Sequence, residues 1–191
     1  MEFGVDGSAD SPRRGRRGAY IPPVMTSELD PAFVDDCPYG PEGILIDKIL
    51  DIDEASSRIV ARMPSHDDLP ITRTQRAHPV RHPRHVAGGL MVHATGIVGF
   101  AHAYYLLGLR HAEGWIGYGA KIHGARFHSI AGPGDPIIID CRATKLRRGD
   151  KRVLGRYEFR FTQNDRLVYE GDQTAMFFRV EEGDSLDLSA G

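Results

Sequence analysis

The sequence predicts an α+β domain in which an antiparallel sheet wraps around one long central helix. Two observations carry this prediction: a nearly uncharged stretch in the middle of the chain, and strand-like segments on both sides of it. The length of 191 residues suits a single domain that buries roughly two-thirds of its unfolded surface. Consecutive hairpins favour antiparallel pairing, and a single helix gives the sheet one main element to cover.

The central helix is predicted over residues 88–108. The stretch from Val86 to Leu109 carries no Asp, Glu, Lys or Arg, and a segment of that length is long enough to span a bilayer. However, it contains His93, His102 and five glycines, and the segments around it have no membrane character. A helix that is apolar on all sides is also typical of the centre of a domain, so we expect no membrane span.

Alternating apolar and polar residues predict the strands. The pattern is clearest in VLGRYEFRF, where every second side chain suits a core and the others suit water. Short polar turns separate the segments, as in hairpins. The clearest predicted strands lie at residues 43–51, 57–63, 136–146, 153–161 and 167–180.

The two ends of the chain differ in composition from its middle. Residues 1–38 are rich in Gly, Ser, Pro, Arg and Asp without a sustained period, and we expect a flexible N-terminal arm. Residues 181–191 are expected to form an acidic C-terminal tail. The folded domain is therefore predicted at residues 39–180, with a polar, Pro- and His-rich loop at residues 64–87 whose length is typical of functional loops.

The charge balance and the cysteine content limit the range of possible functions. Lys plus Arg number 24 against 26 Asp plus Glu, so nothing in the net charge favours a nucleic acid or an anionic membrane as partner. Cys37 and Cys141 are too few for a disulfide scaffold, which favours reduced thiols in a cytoplasmic protein. The acidic first residues, without an apolar run, argue against a secretory signal.

Two segments resemble the hot-dog fold, specifically the hydroxyacyl-(acyl carrier protein) dehydratases of fatty-acid synthesis. IHGARF at residues 122–127, continued by HSIAGPGD, is similar to the family's strand ending in Ala-Arg-Phe and its Pro-Gly-Asp turn. HPVRHPRHVAGGLMVH at residues 78–93 is similar to the segment that runs from a catalytic histidine to a helix bearing a catalytic Glu or Asp. The resemblance covers roughly residues 40–180 and implies a single hot-dog domain.

This resemblance implies a site at the start of the central helix. Five positions after Gly88, where the family has its acid, this chain has His93. The resemblance implies that His78 is the base that removes the proton α to a thioester carbonyl, and that His93 is the acid that protonates the departing β-hydroxyl. The backbone N–H groups of Gly88 and Gly89 would hold the negative charge that develops on the thioester oxygen.

Three functions remain compatible with these residues. The first is dehydration or hydration of a 3-hydroxyacyl thioester, and the second is a thioesterase in which His78 or His93 activates water. The third is a non-catalytic subunit that binds acyl thioesters, which the missing carboxylate would permit. We expect an acyl thioester of acyl carrier protein or coenzyme A as partner, no cofactor, and a homodimer by analogy with the family.

Basic residues crowd the tip of one predicted hairpin. Arg147, Arg148 and Lys151 are expected to contact the phosphates of coenzyme A or an acidic carrier protein, and a solvated hairpin is the alternative interpretation.

Three histidines of the polar loop also suggest a metal ion, since imidazoles suit Zn or Ni. They are His78, His82 and His85, with the spacing H-x3-H-x2-H. That spacing is not a strong signature outside a helix, and two prolines disfavour a helix there, so we expect no metal.

Overall fold

One antiparallel sheet and one long helix dominate the computed structural model, which describes residues 27–181. The helices are α1 (Pro31–Asp36) and α2 (Gly88–Leu107). The strands are β1 (Ser27–Glu28), β2 (Lys48–Asp53), β3 (Arg58–Met63), β4 (Trp115–Phe127), β5 (Ile137–Arg148), β6 (Arg152–Gln163) and β7 (Arg166–Arg179). Within these residues they form one seven-stranded sheet in the order β1-β2-β3-β5-β6-β7-β4, and every neighbouring pair is antiparallel. The predicted α+β architecture is confirmed.

Helix α2 is the central element of the core, as predicted. Buried side chains recur through it from Leu90 to Tyr104, which explains why the sequence places no charge there. The helix ends at Gly108, whose φ of 67° lies in the left-handed region that favours glycine. Although α2 is long and apolar enough to cross a membrane, most of it is buried inside the domain.

The predicted alternation is also confirmed in the long strands. In β6, Val153, Tyr157 and Phe161 are buried, whereas the arginines between them are exposed. Asn164 and Asp165 form the turn into β7 with φ values of 51° and 59°, which short polar residues tolerate best. One face of the sheet therefore covers α2 and the other faces water.

Strand β4 ends at Phe127, as the resemblance implies, and lies at an edge of the sheet. Within residues 27–181 it pairs only with β7. Ile122 on this strand is 53% exposed. A 13-residue edge strand with exposed apolar side chains is suited to pair with a strand of another chain.

The folded part of the chain begins before residue 39. Helix α1 is capped by the Asp30 side chain, which accepts a hydrogen bond from Ala32 N at 2.9 Å. Phe33 on α1 is only 2% exposed and packs edge-on against Tyr104, with 5.3 Å between ring centroids. Residues 27–36, which we predicted to lie in the arm, therefore belong to the domain. Residues 1–26 and 182–191 lie outside the described part of the chain, where the predicted arm and tail stay predictions.

Candidate functional site

The first turn of α2 presents backbone N–H groups without acceptors. The N-cap residue, Ala87, has no side chain that can cap them, and no group within residues 27–181 accepts a hydrogen bond from Gly88 or Gly89. These N–H groups carry the positive end of the helix dipole. A side chain at Gly88 would place its Cβ 2.8 Å from the Phe127 ring, so glycine is needed for this close approach. The predicted oxyanion groups are therefore free to bind a ligand.

A depression of about 410 Å³ opens at this end of α2, and we call it the mouth. Two exposed apolar side chains rim it, Phe127 at 53% and Ile130 at 57% exposure. A concave surface that joins apolar walls to a few convergent polar groups is typical of a ligand site. The mouth is lined by His85, Val86, Gly88, Met91 and residues 127–131.

A smaller inner cavity of about 50 Å³ lies further along α2. It is lined in part by Thr95, which is seven residues, or about 10 Å, beyond Gly88. At Gly96, Gly99 and Gly119 an added Cβ would meet nothing within 4 Å, so the absence of these side chains keeps the cavity open. The cavity and the mouth share no lining residue, so a ligand that reaches both must extend about 10 Å along α2.

A hydrogen-bonded relay joins α2 to β7 beside this cavity. Thr95 Oγ1 donates to the Val92 carbonyl at 2.6 Å and therefore has no proton left for Gln173 Oε1, which is 3.1 Å away. As placed, Gln173 Nε2 and the Tyr169 hydroxyl are buried without partners. Rotating the Gln173 amide by half a turn lets Nε2 donate to Thr95 and turns Oε1 towards Tyr169. We assign this orientation, which pairs Gln173 with Thr95 and belongs to the packing of α2 against β7.

His93 projects from α2 towards residues 39–43. Its Nε2 lies 2.8 Å from the Gly43 carbonyl oxygen, and its ring meets Tyr39 edge-on with 4.8 Å between centroids. A carbonyl only accepts, so Nε2 carries a proton and Nδ1 is bare in the neutral ring. Proton donation by His93 to a substrate would therefore use Nδ1 of the imidazolium.

His78 lies in a tight turn, where its backbone pairs with His82 at 2.7 and 3.0 Å. Its Nδ1 accepts from the backbone N–H groups of Val80 and Arg81, and its Nε2 lies 3.3 Å from the Arg81 guanidinium. In residues 27–181 of one chain, no hydrogen bond or ring contact joins His78 to His93. Their predicted pairing as base and acid stays a prediction.

His85, in contrast, lies at the mouth and is held there by a side-chain clamp. Gln75 Oε1 accepts from the His85 backbone N–H at 3.1 Å, and Gln75 Nε2 donates to the His85 carbonyl at 2.9 Å. The hydroxyl of Thr72, which is fully buried, donates to the same carbonyl at 3.2 Å. The sequence pointed to His85 only as one of the three loop histidines that were considered as metal ligands.

The basic hairpin lies at the opposite end of α2 from the mouth. Arg148 is close enough to His102 for its charge to contribute to lowering the His102 pKa, and Lys151 forms an ion pair with Glu181 at 2.7 Å. His102 is 14 residues, or about 20 Å along the helix, from Gly88. A single chain therefore does not bring Arg147, Arg148 and Lys151 to the mouth.

His102 itself belongs to the core. It is fully buried, with Nε2 3.0 Å from Ser57 Oγ and 3.2 Å from the Ser57 carbonyl oxygen, and the Tyr157 hydroxyl lies 3.4 Å from Nδ1. Burial lowers its pKa to about 4, although the bond to the Ser57 backbone opposes this shift. The ring is neutral at pH 7 and serves packing.

No group of three or more His, Cys, Asp or Glu side chains with the geometry of a metal site occurs between residues 27 and 181. His82 and His85 do come together, with 5.0 Å between ring centroids, but two imidazoles alone are not such a group.

Comparisons with known proteins agree with this fold. No family model matches the sequence. The chain is 28% identical over 129 residues to the 3-hydroxyacyl-[acyl-carrier-protein] dehydratase FabZ of Roseiflexus castenholzii, a match that covers 68% of this chain and 82% of the relative. It is 30% identical over 112 residues to FabZ of Polaromonas naphthalenivorans, with coverage of 59% and 74%.

Among solved structures, a thioesterase from Haemophilus influenzae superposes with a TM-score of 0.53 at 19% identity, over 80% of this chain and 92% of that one. This likeness bears on the fold, and the sequence matches bear on the family. The chain belongs to the hot-dog family of 3-hydroxyacyl-[acyl-carrier-protein] dehydratase-like proteins.

Proposed function

We propose that this protein processes acyl thioesters at the mouth, by dehydration or hydration of a 3-hydroxyacyl group. The observation that carries the proposal is the pair of unpaired N–H groups at Gly88 and Gly89, which open on an apolar-rimmed depression. A thioester oxygen that becomes negative during α-proton removal is stabilised by such preorganised donors. The curated relatives, which are named as dehydratases of carrier-bound 3-hydroxyacyl groups, support the same reaction class.

The proposed reaction needs one group that removes a proton and one that returns it. A loop histidine takes the α-proton, the double bond forms, and the β-hydroxyl leaves as water with a proton from an acid. The family resemblance assigns these roles to His78 and His93.

We infer that the working form is a homodimer built on β4. The exposed edge of β4 can pair with the β4 edge of a second copy, which extends the sheet and satisfies the unpaired backbone groups of both strands. Pairing about a two-fold axis makes the two α2 helices antiparallel, so the basic hairpin of one protomer approaches the mouth of the partner. Arg147, Arg148 and Lys151 would then meet the phosphates of coenzyme A or an acidic carrier protein. A monomer in light scattering would count against this arrangement.

Hydrolysis of an acyl thioester is the second candidate function. The chain has His93 where the family has a carboxylic acid, and hydrolysis requires only one base to activate water. A non-catalytic subunit that binds acyl thioesters is the third. The two free cysteines, one of them buried in the core, support a reducing, cytoplasmic location for the protein, whichever of the three functions it has.

Two substrates separate these functions. The protein is incubated with 3-hydroxydecanoyl- and decanoyl-coenzyme A, and the enoyl product and the free thiol are both followed. We expect enoyl product from the hydroxylated substrate only. Free thiol from either substrate would support the thioesterase, and binding of both without turnover would support the non-catalytic subunit.

A further inference from the structure

The position of His85 relative to α2 suits a group that acts on a bound thioester. Helical N–H groups point towards the N-terminus of their helix, and His85 precedes Gly88 by three residues on that side. The Val86 N–H donates to the Ala131 carbonyl at 2.9 Å, which fixes this short segment against the wall of the mouth. An oxygen held by Gly88 and Gly89 therefore lies in the neighbourhood of His85.

The backbone of His85 is more tightly fixed than its loop position suggests. The Gln75 amide bonds both the N–H and the carbonyl of His85, as a neighbouring strand would, and Thr72 adds a third bond. A base must be held within hydrogen-bond reach of the proton it removes, so this fixation is what a catalytic group needs.

The hydrogen bonds of the ring decide which nitrogen can accept a proton. His85 Nδ1 lies 2.9 Å from the Pro83 carbonyl oxygen and must donate to it, which leaves Nε2 bare in the neutral ring. No donor within the described residues engages that nitrogen. A bare ring nitrogen is the form of histidine that acts as a base.

His78 has the opposite arrangement. Two backbone N–H groups already occupy the lone pair of its Nδ1, so its neutral ring carries the proton on Nε2. The Arg81 guanidinium lies 3.3 Å from that nitrogen. In this conformation of the loop, His78 has no nitrogen available to accept a proton.

We propose that His85 is the catalytic base of this protein and that Gln75 is its positioning residue. The inference rests on the proposed function and gives His85 both roles, that of the base in place of His78 and that of the acid in place of His93. Nε2 takes the α-proton as the C–H bond breaks, and the electron pair is delocalised onto the thioester oxygen held by Gly88 and Gly89. The His85 imidazolium then gives the same proton to the departing β-hydroxyl, so that water leaves, the enoyl double bond forms and the neutral ring is restored. One imidazole thus closes the cycle without a carboxylate at position 93.

The test compares His85→Ala with His82→Ala, a matched change in the same loop, and with His78→Ala, the variant that the family resemblance predicts to be inactive. Initial rates are measured with 3-hydroxydecanoyl-coenzyme A, after thermal melting has shown that each variant is folded. We expect kcat to fall about 100-fold or more in His85→Ala, with KM within about threefold, and to change less than about threefold in the His82→Ala control. Added imidazole should restore part of the rate of His85→Ala. His85→Gln fills most of the space of the imidazole without supplying a base, and it should lose activity to a similar extent if the loss in His85→Ala is not caused by altered packing.

The positioning role of Gln75 has its own readout. Gln75→Ala should lower kcat while keeping the acidic limb of the pH–rate profile, in which the rate falls as the base is protonated, because the imidazole is still present but less well placed. Added imidazole should not restore its rate. Gln75→Glu, which keeps one hydrogen-bonding arm, should recover part of the loss.

Suppose that the wild type is active. If His85→Ala keeps the wild-type rate, or if His78→Ala loses its activity instead, the assignment of His85 is overturned and the proposed function stands. A wild type that turns over neither thioester overturns the proposed function, and His85 as its base falls with it. The two failures are therefore distinguishable in one experiment.

Discussion

The buried imidazole of His102 predicts a specific loss of stability in acid. The folded state lowers its pKa from 6.5 to about 4, chiefly because burial disfavours the charged ring. Above pH 6.5 the ring is neutral in both the folded and the unfolded states, and its contribution to stability is fully present. As the pH falls, the unfolded chain takes up a proton that the folded state refuses until the pH reaches about 4.

The size of the effect follows from the shift. A pKa difference of this size corresponds to about 3 kcal/mol of unfolding free energy once the pH is below 4, and about 2 kcal/mol of it is already lost at pH 5. No discount for solvent screening is needed, since the side chain is fully buried. Because a small domain has only about 5–15 kcal/mol of stability, the loss is readily measured.

The assay is urea unfolding of the wild type and of His102→Gln across this pH range. The glutamine keeps a donor for Ser57 but does not titrate. We expect the variant to be less stable at neutral pH and the difference between the two proteins to narrow by about 2 kcal/mol at pH 5. A stability difference between wild type and His102→Gln that is constant with pH would refute the reasoning.

Three further outcomes are expected. Phe33→Ala should cost about 3–5 kcal/mol and lower the melting temperature, because it empties a buried site between α1 and α2, whereas a tail residue would cost nothing. Gly96→Val should place methyl groups in the inner cavity and raise KM for long acyl thioesters several-fold more than for short ones in a chain-length series. Gly88→Ala should push the Phe127 ring from the mouth and lower kcat about tenfold with little change in melting temperature, since Phe127 is half exposed and can move. Equal chain-length profiles for Gly96→Val and wild type would contradict the second expectation, and an unchanged kcat would contradict the third.

The sequence predicted the elements whose burial repeats with a regular period. Buried and exposed side chains alternate along the whole of β6, and α2 carries no charged residue over its whole length. The residue pattern of each element therefore predicts its burial directly. Strand β1 and helix α1 have only 2 and 6 residues, which is too short for a period to emerge. What holds α1 are contacts with residues far along the chain. Phe33 packs against the rings of Tyr104 and Tyr105, and the Asp36 carboxylate accepts hydrogen bonds from the backbone N–H groups of His111 and Ala112.

The candidate site was predictable in its backbone and less so in its side chains. Gly88 and Gly89 were located by their place at the start of an uncharged helix, which is a local property of the sequence. The orientation of a loop histidine is not local, because it depends on which neighbours bond the ring. The family resemblance selects His78, whereas the hydrogen bonds to Arg81 and Pro83, which separate a blocked ring from an available one, favour His85.

The clamp between Gln75 and His85 has a consequence for how this loop can evolve. It closes residues 76–84 into a ring that is sealed at its base by side-chain hydrogen bonds. Residues can be gained or lost inside this ring while its two ends, and therefore the start of α2, keep their places. An insertion there moves the histidine at the tip and leaves the histidine at the base unmoved.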